Sequence, residues 1–270
     1  MISTIGSDFN SRLIAPPMRT FGIFFGDPGT GKTYTLLRHL PQPVAYFWFD
    51  NRSLNELAEA RAAGRQILDI QITMPSTTLN KGELEKEGKA IWDKIISNLL
   101  WAAKKSQTNE IRSIAFDTVT EATDIIKYSY DGSLKNVRGG SKGDYVNRQW
   151  LRVADIVRTY RANLILTSRE SEIWSEGTSS EWGKPLGLFK PRCPSGVLQA
   201  VDWSAHLRFK KNLLKRLLPE IELEVLKSGE NRSAMGKIID QEKWEGIDLT
   251  PFQYLMTYVF ERGDVDDWKP

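Results

Sequence analysis

Residues 21–40 read FGIFFGDPGTGKTYTLLRHL, and this stretch decides the fold. Its first five residues, Phe21–Phe25, form a continuous apolar run that ends at a glycine, which is typical of a strand buried on both faces. The run Thr33–Leu40 follows and stops before Pro41, so the pattern predicts a short helix there. A buried strand, a glycine-rich turn and a helix therefore come in direct succession.

The turn between strand and helix matches the spacing GxxxxGK followed by Ser or Thr in full. Its residues are Gly26, Asp27, Pro28, Gly29, Thr30, Gly31, Lys32 and Thr33. Glycines let such a loop curl so that its backbone N–H groups and the helix N-terminus face a phosphate. Lys32 would then reach the β- and γ-phosphates, and the Thr33 hydroxyl would bind Mg²⁺. The sequence thus predicts a P-loop that binds a nucleoside triphosphate.

A carboxylate for the metal is expected at the end of another strand. Ile111–Phe116 is apolar and is followed by Asp117, and ligands bind at the carboxyl ends of parallel strands. We therefore expect Asp117 to hold Mg²⁺, directly or through water. The nucleotide is expected to be ATP, because no Asn-Lys-x-Asp segment for reading guanine follows the P-loop.

Two carboxylates compete as the catalytic base that orients the attacking water. Asp50 closes the strand Val44–Phe49, and Glu121 lies one helical turn after Asp117. Either one is also compatible with a solvated acid at the start of a loop or helix, so the sequence leaves the choice open.

The rest of the chain alternates β-rich runs with helical patterns, which implies a mostly parallel α/β sheet. The later strands Ala205–Phe209 and Ile221–Leu226, joined by a basic turn, add an antiparallel edge. We expect one domain: an N-terminal segment 1–19, a core 20–240 and a C-terminal helical element 241–270. Helices are predicted at Leu54–Ala63, Lys81–Lys105, after Asp117 to about Tyr130 and at Tyr145–Tyr160, and further strands at Asn163–Thr167 and Lys237–Asp240.

This order of motifs resembles the RecA-like P-loop ATPases. More closely, it resembles the small phage nucleotide-binding proteins of the single-strand annealing and recombination type. The resemblance covers about 21–170, and its most specific part is the P-loop. The matching stretches are FGIFFGDPGTGKTYTLLRHLPQPVAYFWFD, SIAFDTVTEA, GDYVNRQWLRVADIV and NLILTSRE.

The resemblance implies further site residues. A nucleotide-sensing polar residue at the end of the Asn163–Thr167 strand would fall on Thr167 and Ser168, with Arg169 beside them. A basic residue that reaches the neighbouring subunit's nucleotide would fall on Arg232, although a surface turn explains that residue equally well. Related proteins carry a Glu two residues beyond the Asp of the second strand, where this chain has Arg52. Either another carboxylate replaces that Glu, or the protein is a slow ATP-binding switch.

Three segments are candidates for contacting single-stranded DNA. The glycine-rich loop 131–144 carries Lys135, Arg138 and Lys142, and the segment 170–194, interpreted as a long loop, carries Trp174, Trp182 and Lys184. The basic turn after Arg208 adds Lys210 and Lys211. Solvated loops have the same composition, and the acidic residues of 170–194 count against DNA stacking there. Packing of its aromatic residues on the sheet or on a neighbouring subunit is an equally reasonable interpretation.

Composition excludes several other classes. Cys193 is the single cysteine, and with only two histidines there is no disulfide framework, no Cys-based zinc site and little room for a multi-His metal centre. The net charge of +3 is too small to indicate nucleic-acid binding by itself.

The chain has no apolar run long enough to span a membrane, and polar residues interrupt the region where a signal peptide would be apolar. We expect a cytoplasmic protein, in the host cytoplasm if it is phage-encoded.

Two hypotheses follow. In the first, the protein is an Mg-ATP-dependent ATPase that binds single-stranded DNA in recombination or annealing. It would form a homo-oligomer, a filament or a ring, and possible partners include a single-strand-binding or replication protein. In the second, it is a nucleotide-gated module that binds a protein partner, or a helicase loader or motor, and does not act on single-stranded DNA directly.

Overall fold

A sheet of eight strands forms the centre of the molecule. The computed structural model describes residues 19–76, 78–131, 140–176, 183–210, 220–229 and 231–270. Phe21–Phe25 forms the first strand, in which every side chain is buried, as the apolar run predicts. The strands are β1 (Phe21–Phe25), β2 (Val44–Trp48), β3 (Ile67–Gln71), β4 (Ser113–Asp117), β5 (Asn163–Ser168), β6 (Glu170–Trp174), β7 (Pro185–Pro191), β8 (Trp203–Phe209), β9 (Ile221–Ser228) and β10 (Ile238–Asp240).

The strand order of the central sheet is β10-β9-β8-β1-β5-β4-β2-β3. The strands from β8 through β3 in this order are parallel to their neighbours, whereas β9 pairs antiparallel with both β8 and β10. The expected fold class, a mostly parallel α/β sheet with antiparallel strands at one edge, is confirmed.

Helices cover both faces of this sheet and create two hydrophobic cores. One core lies under the helices between residues 81 and 160 and the short helix at 195–200, and the other under the helices at 32–38 and 54–62 and those of the C-terminus. Because β1 buries alternate side chains in both cores, it lies at the centre of the sandwich. The helices are α1 (Lys32–Arg38), α2 (Leu54–Ala62), α3 (Lys81–Ser106), α4 (Val119–Tyr128), α5 (Lys142–Tyr160), α6 (Ser195–Ala200), α7 (Gln241–Glu245) and α8 (Pro251–Tyr254).

Strand β3 has no counterpart in the sequence prediction. Its residues ILDIQ are only partly buried, and Asp69 interrupts the apolar pattern. A strand at the edge of a sheet packs on fewer neighbours, so it does not need the continuous apolar run by which the central strands were recognised.

The interpretation of 170–194 as a long loop is wrong. Strands β6 and β7 pair antiparallel in a separate two-stranded sheet, with Glu170 opposite Pro191. The backbone N–H of Arg192 continues this pairing by donating to the Arg169 carbonyl at 2.8 Å. We call the described residues of 170–191 the hairpin below.

The C-terminal residues pack on the second core. Phe252 and Trp268 are buried there and contact each other edge to face, with ring centroids 5.7 Å apart. After α8 the chain continues as the π-helical turn Leu255–Val259 and ends in the 3₁₀ turn Val265–Trp268. Within the described ranges, the helices are too short or too polar to cross a membrane.

Candidate functional site

The glycine-rich loop joins β1 to α1 at the carboxyl edge of the parallel strands. Gly26 has φ 149° and Gly31 has φ 82°, conformations that side chains rarely adopt. A Cβ on Gly26 would lie 2.0 Å from the Leu207 carbonyl oxygen, so no larger residue fits at this position. Gly31 also occupies the N-cap of α1, where no side chain competes for the helix N–H groups. The loop therefore leaves its backbone donors open to an anion.

Lys32 lies inside this loop. Its ammonium donates to the carbonyl oxygens of Gly26 at 2.8 Å and Asp27 at 2.5 Å. Burial lowers the pKa of Lys32, while the nearby carboxylates, Asp117 first, oppose that shift. The ammonium is therefore held at the centre of the loop by groups that a phosphate oxygen would replace.

Asp117 is the centre of a hydrogen-bond network of four hydroxyl groups. Thr33 Oγ1 donates to Asp117 Oδ2 at 2.6 Å, Tyr46 Oη to the same oxygen at 2.8 Å, and Ser53 Oγ at 3.3 Å. Thr167 Oγ1 donates to Oδ1 at 2.5 Å. Burial, followed by the negative charge of Asp117, raises the pKa of Tyr46, so this phenol stays protonated and donates.

Strand order explains this convergence. Strand β5 lies between β1 and β4, so the end of β5 brings Thr167 beside Asp117, while β2 brings Tyr46 to the other side of β4. Thr33 follows β1 at the start of α1. The predicted metal-binding pair Thr33 and Asp117 is thus in direct contact.

A cleft of about 340 Å³ opens in front of these residues. Both candidate bases, Asp50 and Glu121, line it together with Arg169. Glu121 accepts a hydrogen bond from the Thr118 hydroxyl and one from the Arg169 guanidinium at 3.1 Å. The structure therefore places both candidate carboxylates and the Arg169 guanidinium in the same cleft as Lys32. This arrangement is compatible with either Asp50 or Glu121 as the base.

The residues at the cleft fit Mg²⁺ that is shared with a nucleotide. Thr33 and Asp117 supply a hydroxyl and a carboxylate, the oxygen donors that Mg²⁺ prefers. Among the described residues, no group of three or more His, Cys, Asp and Glu could hold a metal ion alone. Mg²⁺ typically binds to one or two protein groups and completes its shell with phosphate oxygens and water, which suits this arrangement.

Arg232 lies away from this cleft. Strand β9 runs antiparallel to β8, so it ends beside the amino ends of the parallel strands, whereas the cleft lies at their carboxyl ends. Arg232 begins a 3₁₀ turn shortly after the end of β9. The Gly229 N–H donates to the Asp202 carbonyl at 2.7 Å, just before β8 begins, which marks the amino ends of the strands. Arg232 cannot reach the P-loop of its own chain, and its action on a neighbouring subunit stays a prediction.

The candidate DNA residues that the structure describes lie in or beside different elements. Lys142 lines a second cleft of about 570 Å³ together with Arg192, while Trp174 and Lys184 are exposed on the hairpin. Lys210 pairs with Glu220 at 3.5 Å and Asp240 at 3.1 Å, so part of its charge is neutralised. Four further candidates lie outside the described residues: Lys135, Arg138, Trp182 and Lys211.

Sequence reasoning missed four side chains of this region. Tyr46 and Ser53 contact Asp117, and Glu170 pairs with the buried His206 beside the P-loop strand. A tyrosine within a strand, or a serine after one, carries no local signal of such a contact. His206 had a weak signal, because it is one of two histidines in the chain and lies between the apolar residues Ala205 and Leu207.

The sequence matches a known protein family. The family model described as AAA domain matches residues 20–231, which is well over half of the chain. The matched range contains the P-loop, Asp117, Glu121 and Arg169. A comparison with curated proteins finds no match.

Proposed function

The chain belongs to the AAA-domain family of P-loop NTPases. We propose that it hydrolyses ATP with Mg²⁺ as a RecA-like ATPase and that it acts on single-stranded DNA. The biological setting that we propose is recombination or annealing of the phage type, carried out by a homo-oligomer. One observation carries the enzymatic part: the P-loop lysine, the Thr33–Asp117 pair, Glu121 and Arg169 all line one cleft.

Binding of the triphosphate uses the loop and Lys32. Phosphate oxygens would take the place of the Gly26 and Asp27 carbonyls as acceptors for the Lys32 ammonium. Thr33 and Asp117 would hold Mg²⁺, which when bound neutralises charge on the phosphate oxygens. The Tyr46, Ser53 and Thr167 hydroxyls hold the Asp117 carboxylate in place, since all three donate to it.

Hydrolysis requires a water molecule in line with the γ-phosphate. We propose Glu121 as the residue that orients it, because Glu121 shares the cleft with Arg169 and is itself fixed by Thr118. The Arg169 guanidinium would stabilise the charge that develops on the phosphoryl oxygens. Asp50, which also lines the cleft, is the second candidate for the base.

Steady-state ATP hydrolysis with Mg²⁺ tests this function, measured alone and with single-stranded or duplex DNA. Stimulation by single strands, absent in Lys32→Ala, is the expected result. Absence of turnover in the unmodified chain despite ATP binding would contradict the ATPase. Turnover that ignores DNA would contradict only its proposed substrate.

Support for the DNA-binding part comes from the second cleft. Lys142 at the start of α5 and Arg192 after β7 bring two cations to the same opening. Thr120 at the start of α4 lines this cleft too, and its hydroxyl donates to the Arg192 carbonyl at 3.4 Å. Because Glu121 follows Thr120 directly, the proposed phosphate-backbone contact lies next to the catalytic cleft.

The second hypothesis, a nucleotide-gated protein-binding module, is favoured by the hairpin. Its side chains Trp174, Leu186 and Leu188 are 58%, 50% and 58% exposed. Apolar side chains concentrated on one exposed hairpin are more typical of a protein contact than of a phosphate contact. Two results together would favour this module. The chain would bind DNA either not at all or without dependence on salt, and it would associate with a protein partner only when ATP is present.

A further inference from the structure

His206 is a buried imidazole that links the P-loop strand to the hairpin. It lies in β8, is 3% exposed, and its ring stacks on Phe25 with centroids 4.5 Å apart and planes at 6°. Its second aromatic neighbour is Phe189 of β7, with ring centroids 5.7 Å apart. Phe25 is the last residue of β1, directly before Gly26, so the imidazole contacts both the base of the P-loop and the hairpin.

The polar atoms of His206 face carboxylates. Nε2 lies 2.7 Å from Glu170 Oε2, and because a carboxylate only accepts, Nε2 carries the proton and donates. Nδ1 lies 4.0 Å from Glu224 Oε2, and Glu224 in turn accepts from Arg208 at 2.8 Å. The ring is thus fixed by stacking and by a strong hydrogen bond that is largely shielded from water.

Glu170 directly follows Arg169, the cation of the catalytic cleft. On the other side of Arg169, Ser168 belongs to β5 and its hydroxyl donates to the Arg169 carbonyl at 2.8 Å. The same carbonyl accepts from the Arg192 N–H. The Arg169 carbonyl therefore accepts two hydrogen bonds, and the side chain of the next residue, Glu170, is held by His206.

We propose that His206 is a positioning residue for the γ-phosphate end of the cleft: by holding Glu170, it fixes Arg169 against Glu121. This rests on the proposed function, because it assigns Arg169 to the γ-phosphate. It also gives the hairpin a path to the site, since a movement of β7 would displace the imidazole and with it Glu170.

The charges around Lys32 support this geometry. Arg169 and Glu170 act in opposite directions on the pKa of Lys32, Arg169 lowering it and Glu170 raising it. Both therefore lie close enough to the P-loop ammonium to be felt there. Releasing Glu170 from His206 would change the position of two charges next to the phosphates.

A double-variant cycle tests the proposal. The variants are Arg169→Ala, His206→Phe and their combination, and the readouts are kcat and the ratio of Kd values for ADP and ATPγS. His206→Phe keeps the aromatic packing and removes the hydrogen bond to Glu170. We expect each single variant to lower kcat, His206→Phe by roughly tenfold to a hundredfold, since small displacements of a catalytic group have effects of that size.

The combination decides whether His206 acts through Arg169. If it does, adding His206→Phe to Arg169→Ala lowers neither kcat nor the preference for ATPγS any further. His206→Gln, whose amide N–H donates to Glu170, should restore most of the activity. Additive effects in the cycle, or loss in His206→Gln equal to that in His206→Phe, would overturn the proposal.

One control variant and a readout that needs no turnover separate positioning from general stability. Ser113→Ala removes a buried hydrogen bond of 2.6 Å to the Pro41 carbonyl at the amino end of β4, and should lower the melting temperature without changing the ADP to ATPγS ratio. Because the binding ratio needs no turnover, an inactive but nucleotide-binding chain still tests the positioning role. An unmodified chain that binds no nucleotide would instead overturn the proposed function, and the positioning role with it.

Discussion

The Thr33 hydroxyl lies 2.6 Å from Asp117 Oδ2, although 84 residues separate the two along the chain. This contact connects the start of α1 with the end of β4 across the intervening strand β5. A hydroxyl and a carboxylate oxygen at hydrogen-bond distance can both turn toward the same Mg²⁺ ion. The pair therefore defines where the metal and the β- and γ-phosphates would lie.

Replacing Lys32 should abolish turnover. In Lys32→Ala the loop loses the cation that would contact the β- and γ-phosphates, and we expect kcat to fall by at least about a hundredfold. Lys105→Ala is the matched control, because Lys105 lies at the end of α3, outside the cleft, and pairs with Glu110 just after that helix. Equal hydrolysis by Lys32→Ala and the unmodified chain would contradict the assignment of the P-loop.

Asp117→Asn should raise the Mg²⁺ concentration needed for half-maximal activity and lower kcat by roughly a hundredfold. The amide keeps one acceptor oxygen but loses the negative charge, and its NH₂ group faces hydroxyls that now donate to the carboxylate. Titration of ATPase activity with Mg²⁺ measures both effects. Asp93→Asn, an exposed change on α3, should leave the titration unchanged.

Glu121→Gln and Asp50→Asn distinguish the two candidate bases. We expect Glu121→Gln to lower kcat by about a hundredfold or more while the Kd for ATPγS stays nearly the same, because the change removes the base and keeps the contact with Arg169. Asp50→Asn should lower kcat much less. The reverse order would make Asp50 the base and leave Glu121 as the partner of Arg169.

Lys142 should contribute to binding of single-stranded DNA, whereas Lys210 should contribute little. Lys142 is exposed at the second cleft, but Lys210 is occupied by Glu220 and Asp240. Lys142→Ala should reduce the slope of log K against log salt concentration by about one unit, because one phosphate contact is lost. Fluorescence anisotropy at several salt concentrations measures the slope. Lys86→Ala on α3 is the control, and an unchanged slope for Lys142→Ala would contradict this contact.

His39 should make the fold less stable in mild acid. Burial, and then the nearby arginines Arg65 and Arg38, lower the pKa of His39 to about 4, and its Nδ1 has no hydrogen-bond partner among the described residues. Between that pKa and the ordinary value near 6.5, the unfolded chain binds a proton that the folded chain does not. The free energy of unfolding therefore falls as the pH drops through this range.

In the unmodified chain the free energy of unfolding falls between pH 7.5 and pH 5, and His39→Phe should make this fall smaller by about 2 kcal/mol. Phenylalanine keeps the edge-to-face contact with Tyr34, where the ring centroids lie 5.1 Å apart. Urea unfolding at the two pH values gives the difference for the unmodified chain and the variant. The same pH dependence in both would show that His39 is not the group responsible.

Local patterns predicted the central strands and the edge strand β10, but missed the other edge strand, β3, and the hairpin. Phe21–Phe25 and Val44–Trp48 are continuous apolar runs because both faces of a central parallel strand lie in a core. Strand β3 and the hairpin lie at the periphery, where polar side chains such as Asp69 and Glu172 remain partly exposed to solvent. The alternation in these peripheral strands is too short and too polar to distinguish them from loops.

The sequence by itself determined the P-loop, because glycine conformation and the strand-turn-helix succession act over neighbouring residues. It also determined the class of fold, through apolar runs separated by helical patterns. Only the tertiary structure decided which side chains meet Asp117 and Arg169. Those contacts join residues 50 to 84 positions apart in the case of Asp117. They depend on the order in which the strands lie side by side, which no local pattern encodes.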